Sequence, residues 1–349
     1  MIRARDQTDL LALLAVRLGF HPQESLLVAS LHGPRGQLGC VLRVDLPAPE
    51  HAEQQVDGLA SVLLRHGVQR TVVVTVGSAG LTHAPLAGLM ATALESASVE
   101  VCEVLVADGR RWWSLRCADS ACCDPAGTAY DLSTSPSLAQ AVLAGVAVLP
   151  SRAALADHFA AVPGARSDAV AAAAQQVQEA LLARWRRAGG HRPVHRMPAV
   201  LGHGAARVRR LVTAGLDDQT SAEPDDRVTG ELAVWTTLVP VRDVAWSLMS
   251  RESAGRHATL WRHVARHAPP GTAAAPLALA GFASWLDGDG AAAWCAVEAC
   301  RAVSPGYSMA DLIAQALEQA VPPHAWTPVP RDLLDAALDP PADFDDPAA

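Results

Sequence analysis

The sequence predicts an α/β protein with a mixed, mostly parallel sheet of about five strands and crossover helices, followed by an all-helical C-terminal half. Residues 71–76 and 99–107 are nearly continuous apolar runs, as expected of strands that are covered on both faces. Each run follows a segment of helical length, and a helical crossover connects parallel strands. From about residue 135 onward, the apolar residues recur at helical spacing.

The first predicted element is a helix over residues 8–18. Its leucines form one apolar stripe, Asp6 or Thr8 can cap its start, and Gly19 ends it. A Gly/Pro turn, HGPRG, then separates two strands that are expected to pair as a hairpin. The predicted elements of the first third are helix 8–18, strands 25–31 and 37–46, helix 50–66, strand 71–76, helix 83–97, strand 99–107 and an antiparallel edge strand 111–116.

The two crossover helices are expected to lie on one face of the sheet if both right-handed crossovers advance in the same direction. The helical half is then the candidate to cover the other face. We therefore expect an α/β domain over residues 1–132 and a helical domain over residues 133–338 that packs on the sheet. Residues 339–349 are acidic and Pro-rich, and we expect a disordered tail there.

The helical half is divided by Pro, Gly and Asp/Ser residues. Its predicted helical segments are 136–146, 151–161, 167–187, 197–215, 226–250, 255–267 and 275–319. The last segment has the pattern of a helix pair followed by a third helix. The pair resembles a tetratricopeptide hairpin, but the chain holds about one such unit where a solenoid needs roughly three.

Composition excludes several kinds of chemistry. The sequence has no Lys, which excludes a Schiff base, a P-loop lysine and a kinase strand lysine, and no Asn, which excludes N-glycosylation. We expect residues 1–20 to form a helix and not a signal peptide, and no apolar stretch reaches the roughly 20 residues of a membrane helix. Seven Cys without an export signal are typical of reduced thiols, so we expect a cytoplasmic protein.

Several motifs near both ends of the chain carry a family resemblance. They are RLGFHPQESLLVASL, VLRVDLP, DGRRWWSLRC followed by CCDPAGT, and APLALAGFASWLDGDGAAAW with SPGYSMADLI. Over nearly its whole length, the sequence resembles the actinobacterial family called domain of unknown function 4192. The resemblance implies an actinobacterial cytoplasmic protein without an assigned activity, and it transfers no catalytic residues to this chain.

The first candidate site is a loop with Cys117, Cys122 and Cys123. Short clusters of Cys or His are the usual ligands of Zn²⁺. The spacing C-x4-C-C supplies three thiols, but adjacent cysteines seldom point at one ion, and a fourth ligand such as Cys40 or a His would have to come from elsewhere. Zinc, a redox-active or disulfide pair, and reduced thiols with a packing role all stay open, and we assign no cofactor.

The second candidate site is the carboxyl edge of the predicted parallel strands, where open α/β sheets bind ligands. The side chains expected there are Asp45, Ser78, Asp108, Arg110, Trp112, Trp113 and Ser114. The turn GSAG leads into a helix whose N–H groups could hold an anion, although it lacks G-x-G-x-x-G spacing. The alternative is that these residues only form turns and caps, as Asp after a strand commonly does.

The third candidate is a basic segment, residues 184–210, with eight Arg, three His and no Asp or Glu. It could bind phosphates, with Trp185 stacking on a base. The formal charge of −8 for the whole chain disfavours nucleic acid as a partner. We therefore expect this segment to face the acidic residues 217–226 or the acidic tail, within the chain or across a homodimer.

Two further pairs of polar residues in the helical half are candidates for a metal site or an active site. His263 and His267 lie four positions apart and could present two imidazoles to a metal, but the glutamate of H-E-x-x-H is absent, so we expect a solvated basic helix face. Arg242 and Asp243 are expected to be a buried structural pair and not an active-site pair. The candidate serines lack a nucleophile-elbow context, so no Ser/His/Asp triad can be proposed.

Two functional hypotheses follow from the sequence. The leading hypothesis is a noncatalytic binding or regulatory protein with a protein partner, because the chain has a large helical part and lacks a complete catalytic motif. The alternative is a small-molecule-binding domain or enzyme, for a phosphate- or nucleotide-containing ligand, at the carboxyl edge of the sheet. No membrane partner is expected.

Overall fold

The computed structural model describes residues 6–33, 36–119, 121–187, 198–217 and 223–338. The chain divides into two compact units, residues 1–154 and 155–349. The expected tail over residues 339–349 lies outside the described residues, and the packing of the helical domain on the sheet stays a prediction. Among the described helices, none combines the length and the apolar character that crossing a lipid bilayer requires.

The described part of the first unit contains a six-stranded mixed sheet with the strand order β2-β1-β3-β4-β5-β6. The strands are β1 Ser25–His32, β2 Gln37–Asp45, β3 Arg70–Val76, β4 Glu100–Ala107, β5 Arg111–Ser114 and β6 Thr128–Ala129. The predicted hairpin of β1 and β2 is confirmed, although Pro34 and Arg35 of its turn lie outside the described residues. The short strand β6 pairs with β5 and had no signal in the sequence.

The prediction of a mostly parallel sheet is wrong. Only β3 and β4 form a parallel neighbouring pair, and the other pairs are antiparallel. The physical reason is that β3 pairs with the second edge of β1 and not with β2. The helical crossover leads from β2 to β3, and these two strands run in the same direction. They are not neighbours, because the antiparallel strand β1 lies between them in the sheet.

The two crossover helices pack on one face of this sheet, as predicted. They are α2 Ala52–Arg65 and α3 Ala84–Ser96, and their apolar side chains share a core with alternate residues of the strands. This core contains Leu26 and Val28 of β1, Val73 of β3, and Val104 and Val106 of β4. Successive strand residues point to opposite faces, so the alternation places all of these side chains on the same side.

A helix of the first unit lies against the other face of the sheet. It is α1 Gln7–Leu18, which has Asp6 as its N-cap and Gly19 in the left-handed conformation at its end, as predicted. Trp112 Nε1 donates to Thr8 Oγ1 at 3.3 Å, and Gln7 Nε2 donates to Glu103 Oε2 at 3.2 Å. The helix α4 Pro136–Leu143 packs against α1, so the first unit extends past residue 132.

The remaining part of the chain is helical, as predicted. Its helices are α5 Arg152–Ala156, α6 Ala165–Arg187, α7 Pro198–Asp217, α8 Asp226–Trp235, α9 Val239–Ser247, α10 Ala254–His267, α11 Ala274–Leu286, α12 Gly290–Val303, α13 Ser308–Glu318 and α14 Arg331–Leu338. The segment predicted as one helix over 226–250 is two helices, because Pro240 lies in the first turn of α9. The helix pair followed by a third helix in 275–319 is confirmed as α11, α12 and α13.

The core of the second unit surrounds α11. Every residue from Ala275 to Leu286 is buried, and α11 packs against both α10 and α12. A Cβ atom at Gly281 would lie 3.3 Å from Ala296 Cβ and 3.4 Å from the Ala293 carbonyl oxygen. The absence of a side chain at Gly281 therefore allows the close approach of α11 and α12.

Candidate functional site

The strand register aligns the ends of the strands in one row at one edge of the sheet. Ser25 is paired with Asp45 and with Val76, Val76 with Ala107, and Ala107 with Trp112. The predicted edge residues Asp45, Ser78, Asp108 and Arg110 therefore follow or end strands on the same side of the sheet. This neighbourhood does not by itself make a ligand site, because each polar group also needs an accessible hydrogen-bonding atom.

Asp108 serves the turn between β4 and β5. Its Oδ1 atom accepts hydrogen bonds from the backbone N–H groups of Arg110 at 2.7 Å and Arg111 at 2.6 Å. Gly109 between them adopts a positive φ of 89°, which favours glycine. The carbonyl of Arg110 accepts from the Tyr130 N–H group at 2.9 Å and so holds the segment after β6. This is the turn role that Asp after a strand commonly has.

Asp45 and Ser78 each have an intramolecular partner that the sequence did not predict. The exposed Asp45 carboxylate forms an ion pair with Arg43 at 2.5 Å. Ser78 donates from both its backbone N–H and its hydroxyl to Glu24 Oε1, at 2.8 Å each, and these hydrogen bonds lower the pKa of Glu24. Neither partner carried a sequence signal, because an isolated Glu or Arg is indistinguishable from a solvated surface residue.

Trp112, Trp113 and Ser114 converge with the Cys loop on one cavity. This cavity, the β5 cavity, has a volume of about 180 Å³, and its wall consists of Trp112, Trp113, Ser114, Cys117, Ala118, Cys123, Asp124, Pro125 and Thr128. Of the predicted edge residues, the structure thus brings three together with the Cys loop. Asp45, Ser78, Asp108 and Arg110 are outside its wall.

Side chains of β5 hold both ends of the loop that follows this strand. Arg111 donates to the carbonyl oxygen of Gly127 at 2.6 Å, and Trp113 Nε1 donates to the carbonyl oxygen of Pro125 at 3.3 Å. The Ser114 hydroxyl donates to Glu103 Oε1 at 2.8 Å and accepts from the Cys117 N–H group at 3.2 Å. Both ends of the loop are therefore attached to the sheet.

The three loop cysteines, Cys117, Cys122 and Cys123, form a thiol cluster. Their Sγ atoms all lie within 4.8 Å of one another, and those of Cys122 and Cys123 are 4.0 Å apart. A turn brings them together, because the N–H groups of Cys122 and Cys123 both donate to the Asp119 carbonyl oxygen, at 3.1 and 2.8 Å. The adjacent cysteines, Cys122 and Cys123, thus have their sulfur atoms close together, while the binding of one ion by both stays a prediction.

The thiols of the cluster differ in pKa and in exposure. A hydrogen bond from the Cys123 thiol lowers the pKa of Cys117, while donation to Cys117 raises the pKa of Cys123 to about 12. Cys122 is exposed and the other two are half-buried. Within the described parts of the chain, this is the one group of three or more His, Cys, Asp or Glu side chains whose ligand atoms are close enough to share a metal ion. Cys40 lies elsewhere, in β2, and is not part of the group.

The basic segment is described only in part. His191, Arg192, His195 and Arg196 lie outside the described residues. On α7, Arg207 forms an ion pair with the buried Glu231 of α8, with NH2 2.8 Å from Oε1. Glu231 was not among the acidic residues expected to face this segment, and its position inside α8 gave no signal.

The prediction of a solvated face is wrong for His263, whereas His267 is half-buried. His263 is only 6% exposed, because this side of α10 packs toward α6 and α8. The two ring centroids lie 4.8 Å apart, and His267 Nδ1 is 2.9 Å from Ser167 Oγ. Burial lowers the pKa of both histidines.

Arg242 and Asp243 form the predicted ion pair. Arg242 is 7% exposed, and its NH2 group lies 2.6 Å from Asp243 Oδ1. Its NH1 group also donates to the Tyr307 hydroxyl at 3.1 Å, and the guanidinium stacks on the Tyr307 ring. The pair thereby connects α9 with the start of α13.

Comparison with known proteins gives a family and no activity. A family model described as Domain of unknown function (DUF4192) matches residues 8–324. No curated protein and no solved structure matches the chain. The matched range includes the thiol cluster, the β5 cavity and the helices through α13, and it confirms the resemblance that the motifs predicted.

Proposed function

The chain belongs to the DUF4192 family, a domain of unknown function, and from its own geometry we propose that it is a noncatalytic binding or regulatory protein. Its ligand site is the β5 cavity. The observation that carries the proposal is the convergence of Trp113, Ser114 and Cys117 on one cavity, between a strand and a loop that is attached to the sheet at both ends.

The size of the β5 cavity favours a small ligand. Cavities that hold drug-sized ligands have volumes of about 300–1,000 Å³. The β5 cavity has about 180 Å³, which lies below this range. This volume matches an ion or a group of a few heavy atoms better than a nucleotide.

The alternative, a ligand site or active site built from Asp45, Ser78, Asp108 and Arg110, has weaker support. Asp108 Oδ1 accepts two backbone hydrogen bonds, and both donors of Ser78 point at Glu24. A ligand at this edge would have to compete with these intramolecular partners, and breaking such hydrogen bonds costs free energy.

A thermal-shift experiment with small probes tests the proposal. The full chain is heated with an excess of inorganic phosphate, acetate, glycine or Zn²⁺, each in turn. We expect at least one probe to raise the Tm by a few degrees, because a ligand at about 100 times its Kd adds about 2.7 kcal/mol of stability. The responding probe should be recovered chemically unchanged after prolonged incubation with the protein.

Two matched variants locate the binding. Ala118 is in the wall of the β5 cavity, whereas the exposed Ala121 of the same loop is not. Ala118→Phe should abolish the Tm response, and Ala121→Phe should retain it. A response that survives Ala118→Phe, or no response of the wild-type chain to any probe, would contradict the proposed site, and conversion of the probe would contradict a noncatalytic role.

A further inference from the structure

We propose that the thiol cluster is a binding site for a thiophilic metal ion of the Zn²⁺ class, with the sulfur atoms of Cys117, Cys122 and Cys123 as its three protein ligands. The inference rests on the proposed function, because it names the class of ligand that the β5 cavity takes. Two of the three cysteines, Cys117 and Cys123, are part of the wall of this cavity.

The distances between the sulfur atoms are close to those of a zinc site. With Zn–S bonds of about 2.3 Å, tetrahedral geometry places two sulfur ligands about 3.8 Å apart. The Sγ atoms of Cys122 and Cys123 are 4.0 Å apart, and all three lie within 4.8 Å of one another. A metal ion would therefore have to draw the thiols together by no more than about 1 Å, which side-chain rotation supplies.

The chemistry of the ligands selects the metal. Thiolate sulfur is a soft ligand that prefers Zn²⁺, Cu⁺ and similar ions, whereas Mg²⁺ and Ca²⁺ prefer oxygen. Three protein ligands leave the fourth position of a tetrahedral ion open. The adjoining cavity of about 180 Å³ has room for water or a small ligand at that position. The site is thus suited to an ion that stays accessible from solvent.

The loop is held in this arrangement by bonds that involve no metal. The Asp119 carbonyl oxygen accepts from the N–H groups of Cys122 and Cys123, and Asp119 Oδ1 accepts from the Ala121 N–H group at 2.9 Å. The Ser114 hydroxyl accepts from the Cys117 N–H group. Such outer hydrogen bonds orient metal ligands and reduce the entropy that binding has to overcome.

Titration of the reduced full chain with Co²⁺ tests the inference, because thiolate ligands give Co²⁺ a charge-transfer absorbance that Zn²⁺ then removes by displacement. We expect one Co²⁺ per chain. Cys117→Ser and Cys123→Ser should each weaken binding by more than about 100-fold, the upper end of what loss of an outer-shell partner costs. Cys40→Ser, which removes an exposed thiol of β2, should bind like the wild type.

Circular dichroism shows whether each variant is folded, and a folded Cys117→Ser variant with unchanged Co²⁺ absorbance would overturn the inference. It would also be overturned by a fully reduced, folded wild-type chain that gives no such absorbance with Co²⁺. Suppose that Co²⁺ gives no absorbance, while phosphate, acetate or glycine raises the Tm of the wild type but not of Ala118→Phe. Then only the metal inference fails. If neither binds, the proposed function fails as well.

Discussion

Ser135 donates a hydrogen bond of 2.8 Å to the buried carboxylate of Asp9, although the two residues are 126 positions apart in the chain. Asp9 is 3% exposed and lies in the first turn of α1, while Ser135 is the N-cap of α4. Ser135→Ala should lower the free energy of unfolding by about 1–3 kcal/mol, because it removes both the hydrogen bond to the buried Asp9 carboxyl group and the side-chain cap of α4. Urea unfolding of the full chain measures this change.

Ser133→Ala is the matched control for Ser135→Ala. The Ser133 hydroxyl donates to Asp131 Oδ1, but both side chains are exposed, so water can replace the bond. We expect a loss below about 0.5 kcal/mol for the control. Equal losses for the two variants would show that the buried hydrogen bond to Asp9 contributes no special stability.

The strands of the sheet could be predicted from the sequence, but the pairing between them could not. Apolar runs and turn residues act locally, so the strands at 71–76 and 99–107 were found within one or two residues. Whether β3 pairs with β1 or with β2 depends on which edge of the hairpin it meets, and both edges offer unpaired backbone groups. That choice is a tertiary one, and no local pattern encodes it.

The candidate site was predictable in composition but not in geometry. The spacing of Cys117, Cys122 and Cys123 pointed to thiol chemistry, whereas the turn at Asp119 that joins their sulfur atoms is a backbone feature without a sequence motif. The carboxylates of Asp9 and Glu231 were missed as buried partners because isolated acidic residues are usually exposed. Their burial depends on hydroxyl or guanidinium groups that are distant in sequence.

The fit of Trp113 against Gly127 gives a second prediction. Gly127 adopts a φ of 85°, and a Cβ atom there would lie 2.5 Å from the Trp113 ring. Gly127→Ala should therefore displace Trp113 from the wall of the β5 cavity and add an overpacking cost of about 1–3 kcal/mol to the backbone strain. Near-ultraviolet circular dichroism reports the displaced ring, and urea unfolding reports the stability.

Gly109→Ala separates the cost of overpacking against Trp113 from the cost of backbone strain. Gly109 has a similar φ of 89°, but a Cβ atom there meets nothing within 4 Å. Its substitution should cost only the left-handed backbone strain of about 1–2 kcal/mol and leave the near-ultraviolet spectrum unchanged. If Gly109→Ala proves as destabilising as Gly127→Ala, then contact with the Trp113 ring adds no cost at Gly127.

The ion pair of Arg207 and Glu231 gives a third prediction, for the second unit. The Glu231 side chain is only 7% exposed, so Arg207→Met leaves a poorly solvated carboxylate and should cost about 3 kcal/mol. Arg227 also contacts Glu231, but its side chain is 77% exposed, and Arg227→Met should cost less than about 0.5 kcal/mol. Adding Glu231→Gln to Arg207→Met should restore part of the lost free energy of unfolding. A double variant that is less stable than Arg207→Met alone would show that the unpaired carboxylate is not the cause of the loss.

His257 makes the stability of the second unit depend on pH. The side chain is fully buried, its Nε2 atom lies 3.2 Å from the Leu248 carbonyl oxygen, and its Nδ1 atom has no hydrogen-bond partner among the described residues. Burial lowers the pKa of His257 from 6.5 to about 4. The unfolded chain therefore binds a proton at a higher pH than the folded chain does, so the free energy of unfolding falls as the pH drops below about 6.5 and levels off below about 4.

From these two pKa values, His257 should remove about 2 kcal/mol of stability between about pH 7 and pH 5. His257→Gln keeps a donor for the Leu248 carbonyl oxygen but cannot titrate, so the variant should lose about 2 kcal/mol less than the wild type over the same interval. Urea unfolding of both chains at the two pH values measures the difference, in which the titration of other groups cancels. Parallel losses for the two chains would mean that His257 is protonated as readily in the folded protein as in the unfolded one.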